Sequence, residues 1–381
     1  MSGELPLAGV RVLDLTRHLP GPYATLLLAD LGARVDKLEE PAGDPARWLP
    51  FGAPEQATYF AGLNRGKRSL TLDLKAPGAP AAVLRLAGRY DVLVEGFRPG
   101  VLDRLGLGHA LLRSTHPQLV VCAISGFGQT GPDRLRAGHD LGYQARAGVV
   151  AYGGGPAGPA IPGGQVADVG GALFAALGIL AALHERARTG IGRVVDVALA
   201  DAATAFLHLH LAAHVSGGLP LGRGTDLLNG GLPCYRLYRT EDGGHLAVAA
   251  LEPHFFATLC ERLGRPELTA PAYAGGEEAA GVHRALEELF ASAPLATWER
   301  RLAGLDACVE PVQAPVEVPG DAQFQARGLF GVGPDGARRM ATPLRFGPLP
   351  DAGAPALGAH SREVLAEAGF SAAEMDELGV R

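Results

Sequence analysis

The sequence has few cysteines and no segment typical of secretion. Only four cysteines occur among 381 residues and none forms a CxxC pair, so neither a disulfide framework nor a zinc site is expected. The N-terminus lacks a basic segment followed by a long apolar one. The longest apolar run, residues 170–183, is rich in Gly and Ala and too short to span a bilayer. We therefore expect a cytoplasmic protein with no membrane partner.

Two further absences narrow the class of ligand. The formal net charge is −6, so the chain lacks the basic excess that nucleic-acid binding requires. The loop after the first apolar run, residues 16–22 (TRHLPGP), lacks the GxGxxG pattern, which disfavours NAD or FAD chemistry. What the chain does have is 47% hydrophobic residues, enough for a sizeable core, and a length that favours two domains.

Short apolar runs alternate with helical patterns over the first half of the chain. The spacing predicts strands at 10–15, 33–38, 91–95, 119–124 and 194–199 and helices at 23–31, 81–86 and 171–188. Strands that alternate with helices predict an α/β fold whose parallel sheet is buried on both faces.

A second unit is predicted to begin after about residue 217, where a Gly- and Pro-rich connection starts. Two strands, 234–239 and 245–250, flank a tight turn, and helices are predicted at 254–263 and 283–302. A last helix is predicted near 361–368. This second unit is therefore expected to be of the α+β class.

Basic residues cluster near the predicted ends of strands. They occur at 64–68 (NRGKR), in 72–75 (LDLK), and in 96–100 (GFRPG) together with Arg104. Ligands of open parallel sheets bind beyond the carboxyl ends of the strands, where Arg and Lys suit phosphates and Phe97 suits an adenine ring. Each cluster alone is typical of a solvated surface. Together they favour a multiply phosphorylated ligand.

Three titratable residues are candidates for chemistry. His139 lies in a Gly-flanked loop, where a lone histidine is usually structural or exposed. Asp168 directly precedes the apolar helix, so it suits either a helix cap or a carboxylate facing a ligand that Gly170 and Gly171 would admit. Glu252 ends a predicted strand, where a solvated glutamate is the default interpretation. The residue patterns alone leave these alternatives open.

Taken in order, the motifs resemble the family III CoA-transferase superfamily (CaiB/BaiF type), and within it the α-methylacyl-CoA racemases. The resemblance runs over nearly the whole chain and is carried by LDLTRHLPGPYATLLLADLGARVDKLEEP, VEGFRPGVLDRLGLG, ISGFGQTGP, AGHDLGY and VADVGGALFAALGILAALHER. The racemase branch is favoured by the histidine of AGHDLGY, by ALEP, and by DACVEPV, in which Glu310 replaces a threonine.

The resemblance implies a fold and an assembly. Residues 1–216 and 326–381 are expected to form a large Rossmann-like CoA-binding domain, and 217–325 a smaller domain with linkers. The family assembles as an interlocked homodimer in which the small domain of one subunit completes the other's site.

The resemblance also implies a set of CoA contacts. These are Leu72, Asp73, Leu74, Lys75, Gly96, Phe97, Arg98, Arg104, Gly138, Asp140, Leu141, Gly142 and Tyr143. Glu40 stands where some racemases carry a phosphate-binding arginine. A carboxylate would repel a phosphate there, so we expect this contact either to be missing or to be supplied elsewhere, for instance by Arg65 or Arg68.

The implied reaction is racemisation at the carbon next to the thioester of a 2-methylacyl-CoA, in lipid metabolism. His139 and Asp168 would be the bases on opposite faces, in opposite protonation states, with Glu252 orienting the imidazole. Backbone N–H groups at the start of the apolar helix are expected to stabilise the enolate oxygen. No metal or redox cofactor is expected, since CoA is part of the substrate.

Two alternatives remain open. In the first, Asp168 attacks the thioester as a nucleophile and CoA moves between carboxylic acids through an aspartyl-CoA thioester, with His139 incidental. In the second, the chain is a non-catalytic acyl-CoA-binding module. An aspartate at position 168 is shared by both branches of the superfamily, so it does not discriminate between racemase and transferase.

Overall fold

A computed structural model describes residues 4–49, 58–155, 157–273, 276–333, 336–344, 346 and 352–380. The chain divides into two units, of which the first comprises 1–147, 163–207 and 322–381 and the second 148–162 and 208–321. Residues 148–162 thus belong to the second unit, which the sequence analysis did not foresee although the stretch 153–164 (GGGPAGPAIPGG) is rich in Gly and Pro.

The first unit is built on a six-stranded parallel sheet in the order β3-β2-β1-β4-β5-β6. The strands are β1 (Arg11–Leu15), β2 (Arg34–Glu39), β3 (Arg68–Thr71), β4 (Val92–Glu95), β5 (Val120–Ser125) and β6 (Val194–Ala198). Every residue of β4 and β5 is buried, as expected for a parallel sheet covered on both faces. The predicted α/β fold is confirmed.

Helices and a short ribbon complete the first unit. The helices are α1 (Pro20–Asp30), α2 (Thr58–Asn64), α3 (Ala79–Ala87), α4 (Val101–Arg104), α5 (His109–Thr115), α6 (Asp140–Arg146), α8 (Val166–Thr189), α9 (Leu199–Ala205), α14 (Ala322–Ala326), α15 (Ser361–Glu367) and α16 (Ala372–Glu377). The antiparallel ribbon pairs β10 (Phe330–Val332) with β11 (Arg338–Met340).

The C-terminal helices pack against the edge of the parallel sheet. The backbone N–H of His360 donates to the carbonyl of Ser69, and the N–H of Thr71 donates to the hydroxyl of Ser361. Val364 and Leu365 are buried in the same apolar cluster as the strands and α3. Both ends of the chain therefore build this unit.

The apolar helix α8 is longer than predicted, with 24 residues that begin at Val166. By length and composition it is apolar enough to cross a membrane, a test that core helices also pass; 44% of its most apolar window is buried inside the protein. It packs against α1, α6, α9 and strands β5 and β6. A Cβ on Gly170 or Gly171 would overlap Phe206 or Leu199. These glycines therefore permit helix packing, and the expectation that they admit a ligand was wrong.

The second unit is α+β, as predicted. Its antiparallel sheet has the order β7 (Tyr235–Arg239), β8 (His245–Ala249) and β9 (Val309–Pro311). Its helices are α7 (Val149–Tyr152), α10 (His208–Gly217), α11 (Pro253–Leu263), α12 (Gly276–Phe290) and α13 (Leu295–Leu302).

The single helix predicted over 283–302 was wrong, because the chain turns between α12 and α13. Pro294 precedes α13 with an extended backbone and has no N–H to continue a helical ladder. The buried indole of Trp298 donates to the carbonyl of Phe290 at 2.9 Å. This bond closes the turn, and the two rings pack edge to face in the core of the unit.

Candidate active site

A cavity of about 210 Å³ opens where the strand order of the parallel sheet reverses, between β1 and β4. Its walls come from the loops after β1, β4 and β5, and both His139 and Asp168 line it. Such switch points are where open α/β sheets bind ligands, since neighbouring loops diverge there. The fold thus brings to one cavity two side chains that are distant in sequence.

A second cavity, of about 290 Å³, adjoins the first along the carboxyl ends of β1 and β2. The two cavities share Thr16, Arg17 and Phe97 as lining residues. Glu40 and the mostly exposed Trp48 line the second cavity only. Together the two cavities provide room for an extended ligand whose one end reaches Asp168.

Asp168 is the third residue of α8 and does not cap the helix. The backbone N–H groups of Ala167 and Asp168 donate instead to Oδ1 of Asp140, at 2.9 and 3.1 Å. Burial, and then the negative charge of Asp140, raise the pKa of Asp168 to about 7. The Asp168 side chain therefore exchanges its proton near neutral pH, as a general acid or base should. The capping interpretation was wrong.

The start of α8 has no backbone donor left for a ligand. Val166 N–H donates to the carbonyl of Gly164, and Val169 N–H donates to that of Gln165. Since Asp140 takes the two N–H groups between them, the first-turn donors are all used inside the protein. The expectation that they stabilise an enolate oxygen was wrong.

His139 lies directly before α6, with an extended backbone and an exposed side chain. Its carbonyl accepts from the N–H groups of Gly142 and Tyr143. The Tyr143 hydroxyl donates at 2.7 Å to the carbonyl of Gly138, and its ring packs edge to face on Phe127. Burial raises the pKa of Tyr143, so its hydroxyl stays neutral. These contacts fix the loop that presents the imidazole.

His18 is a second histidine at the cavity that the sequence analysis did not single out. It adopts a left-handed backbone with φ of 67°, and its N–H donates to Asp44. Burial lowers its pKa and favours the neutral ring. The left-handed backbone at His18 could not be predicted from the residue pattern. The sequence therefore did not indicate that this histidine lies at the cavity.

The expected CoA contacts fall into four groups. Those that line the first cavity are Gly96, Phe97, Arg98, Gly138 and Tyr143. Leu72 lies in the apolar core, and Leu74 is buried beside the second cavity. Five residues are exposed and line neither cavity: Asp73, Lys75, Arg104, Leu141 and Gly142. Asp140 is occupied by its bonds to α8.

The arginines of the basic segment 64–68 form ion pairs within the protein. Arg65 is buried in an ion pair with Asp30, and Arg68 is bound by Asp36, Glu363 and Glu367. The expectation that Arg65 or Arg68 compensates for Glu40 was therefore wrong.

The basic side chains available to a phosphate lie instead at the two cavities. Arg98, Arg134 and Arg136 line the first cavity. Arg17, which lines both, is 3.9 Å from Glu40. A phosphate group that entered the junction of the cavities would compete with the Glu40 carboxylate for Arg17.

Glu252 belongs to the second unit, where it is exposed directly before α11 and its carboxylate does not cap that helix. Its predicted pairing with an imidazole stays a prediction.

Comparison with known proteins adds family information to this geometry. The model of CoA-transferase family III matches residues 7–361. The chain is 37% identical to the α-methylacyl-CoA racemase of Homo sapiens, covering 98% of this chain and 96% of that protein. It is 36% identical to a succinyl-CoA–D-citramalate CoA-transferase of Chloroflexus aurantiacus, covering 95% and 94%. A solved CAIB/BAIF family protein from Brucella suis superposes with a TM-score of 0.82 at 33% identity, over 96% of this chain and 100% of that one.

Proposed function

This chain belongs to CoA-transferase family III, and on that premise we propose that it is a racemase of 2-methylacyl-CoA thioesters. The observation that carries the proposal is the meeting of His139 and Asp168 in one cavity, with the pKa of Asp168 raised to about 7. A two-base reaction needs two groups that both gain and lose a proton near working pH. The Asp168 carboxyl meets that requirement, and histidine is the side chain most often used for proton transfer in enzymes.

The reaction removes a proton from the carbon next to the thioester and returns one to the opposite face. In one direction neutral His139 takes the proton and protonated Asp168 delivers one. In the other direction the roles reverse, so the pair holds one proton in total before either reaction. The electrons of the broken C–H bond reside in the enolate until the second transfer restores the thioester.

We propose that CoA lies along the two adjoining cavities. The nucleotide would occupy the second cavity, where Phe97 and Trp48 offer ring faces and Arg17 offers charge, with Arg98 close by in the first cavity. The thioester would then reach Asp168. Glu252 would orient the imidazole of His139, from the partner subunit of an interlocked cytoplasmic homodimer. CoA enters as part of the substrate, with no other cofactor.

A second candidate is CoA transfer between carboxylic acids, which is the activity named for several relatives of similar identity. That reaction needs Asp168 as an ionised nucleophile. What favours the racemase is His139, which shares the cavity with Asp168 and has no role in the transfer reaction.

The test is incubation of the protein with one enantiomer of a 2-methylacyl-CoA in deuterated water. Deuterium at the α-carbon together with loss of chiral purity supports racemisation, and His139→Ala and Asp168→Asn should each abolish inversion, because the remaining base can exchange the proton only on its own face. His18→Asn is a matched control, because it removes an imidazole from the same cavity and Asn tolerates the left-handed backbone.

Two other results would overturn the proposal. Absence of label, with hydroxylamine modifying Asp168 only when acyl-CoA is present, would establish the transferase. Silence in both assays across several acyl chains, with acyl-CoA still bound, would establish a binding module.

A further inference from the structure

We propose that Asp140 is a positioning residue that fixes the separation of the two reacting side chains by tying the start of α6 to the start of α8. The inference deepens the proposed function and rests on it, since His139 and Asp168 must be the reacting groups. Asp140 directly follows His139 in the chain. Its carboxylate accepts the backbone N–H of Asp168 itself. Asp140 is thus hydrogen-bonded to the backbone of Asp168 and joined by a peptide bond to His139.

The start of α8 depends on this distant acceptor. Gln165, the residue before the helix, makes no side-chain cap, and Ala167 is completely buried. Without Asp140, two backbone N–H groups at the start of α8 would lack a hydrogen-bond partner. Leaving such groups unpaired inside the protein destabilises the fold. Asp140 lies 27 residues before Ala167 and 28 residues before Asp168 in the chain. Its bonds therefore fix the position of α6 relative to α8 and do not only stabilise one helix.

The second oxygen of Asp140 is also engaged. Nε2 of the buried Gln144, one turn further along α6, donates to Oδ2 of Asp140 and lies 3.3 Å from the carbonyl of Gly164. The carboxylate is therefore held from both helices, and neither oxygen is free to rotate toward the cavity. This bracing explains how a short helix of seven residues can hold the His139 loop in place.

Asp140 also acts on Asp168 electrostatically, because its charge adds to burial in raising the pKa of that group. The other titratable side chains at the cavity are His18, His139 and Tyr143, and the arginines at 17, 98, 134 and 136. Removal of the Asp140 charge alone should therefore lower the pKa of Asp168. Removal of the Asp140 oxygen that accepts the N–H groups of α8 should displace the Asp168 side chain.

Two substitutions separate these effects. Asp140→Asn keeps an oxygen for the two N–H groups of α8 and removes the charge. The new amide nitrogen would face Nε2 of Gln144, so the Gln144 amide must turn over to accept through Oε1, a buried atom with no hydrogen-bond partner among the described residues. Asp140→Ala removes both acceptor and charge. Asp133→Asn is the matched control, because Asp133 pairs with Arg146 and Arg136 nearby and makes no bond to α8.

The first measurement needs no substrate. Infrared difference spectra between each protein and its Asp168→Asn counterpart, recorded across pH in the full-length chain, isolate the protonation of the Asp168 carboxyl. We expect a midpoint near 7 in the native chain and in Asp133→Asn, and a more acidic midpoint in Asp140→Asn. An unchanged midpoint in Asp140→Asn would overturn the electrostatic part of the inference.

The second measurement is α-deuterium exchange. Asp140→Ala should lose about a hundredfold in kcat with little change in KM, as expected when reacting groups are displaced by about 1 Å. Asp140→Asn should keep most of the kcat that Asp140→Ala loses. The acid limb of its pH profile should be shifted. Exchange at the native rate in Asp140→Ala would overturn the positioning role. If no protein exchanges deuterium but the infrared midpoint moves, the proposed reaction fails and the Asp140 contact stands.

The folding of each variant is checked separately, so that a lower rate can be assigned to displaced reacting groups and not to unfolding. Far- and near-ultraviolet circular dichroism and a thermal melt should show native structure in each variant at the assay temperature. If Asp140→Ala unfolds, Asp140→Asn with its infrared midpoint and pH profile still decides the inference.

Discussion

The raised pKa of Asp168 makes a prediction about stability that is independent of any assay of activity. Folding shifts this carboxyl from an ordinary pKa of about 3.9 to about 7. The folded state therefore binds more protons than the unfolded state between these values, and stability falls as pH rises through that range. Below about pH 3.9 the group is protonated in both states and has no effect; above about pH 7 the whole penalty applies.

The magnitude follows from about 1.4 kcal/mol for each pH unit between the two pKa values. Asp168 should destabilise the folded chain by about 1.5 kcal/mol near pH 5 and by about 4 kcal/mol near pH 8. Asp168→Asn removes the titration but nearly keeps the shape. The free energy of unfolding of Asp168→Asn minus that of the native chain should therefore be about 2.5 kcal/mol larger near pH 8 than near pH 5, so the variant gains relative stability as pH rises.

Urea unfolding at the two pH values measures this difference directly. Only the change with pH is used, so packing differences between Asp and Asn cancel. Asp133→Asn carries the same chemical change outside the cavity and serves as the control. A difference between Asp168→Asn and the native chain that stays constant from pH 5 to pH 8 would refute the raised pKa, and with it the acid–base role.

Three further predictions concern the ligand, the reaction and the fold. Glu40→Arg should lower KM for acyl-CoA about fivefold, because it replaces a repulsive charge beside the phosphate path, whereas Glu241→Arg in the second unit should leave KM unchanged. The pH profile of racemisation should be bell-shaped with the same two limbs for both enantiomers, whereas a transferase should show a single acid limb in its initial rates. Gly171→Ala should destabilise the chain by about 1–3 kcal/mol in a urea melt, because the added methyl overlaps Leu199, whereas Gly62→Ala, with open space around it, should not.

The central strands were predictable because a parallel sheet demands continuous apolar runs. Residues 119–124 satisfy that rule at a position where every residue is buried. The edge strand β3 escaped prediction because three of its four residues, RSLT, are polar, so it lacks the continuous apolar run of a buried strand; its hydrogen-bond partners lie on β2 and α15. The turn before Pro294 was also missed, although the proline itself marks it.

The candidate site was predictable in its residues more than in its contacts. Motif order was enough to single out His139 and Asp168, which share a cavity. The role of the arginines was not predictable, because it depends on partners that only the tertiary fold supplies. Arg65 finds Asp30 from α1 and Arg68 finds Asp36 from the neighbouring strand, so charges that suit a phosphate in the sequence are neutralised inside the protein.

The division of labour between two aspartates explains how Asp168 keeps a proton at the start of a helix. A carboxylate that capped α8 would accept its backbone N–H groups, and both those bonds and the helix dipole would lower its pKa. Asp140 takes these bonds instead, so the Asp168 carboxyl gains no stabilisation of its charged form from them and faces a second negative charge. Burial then raises the pKa to about 7. A helix start that would ordinarily favour an anion thereby holds a group able to give and take a proton, which is what either direction of a racemisation requires.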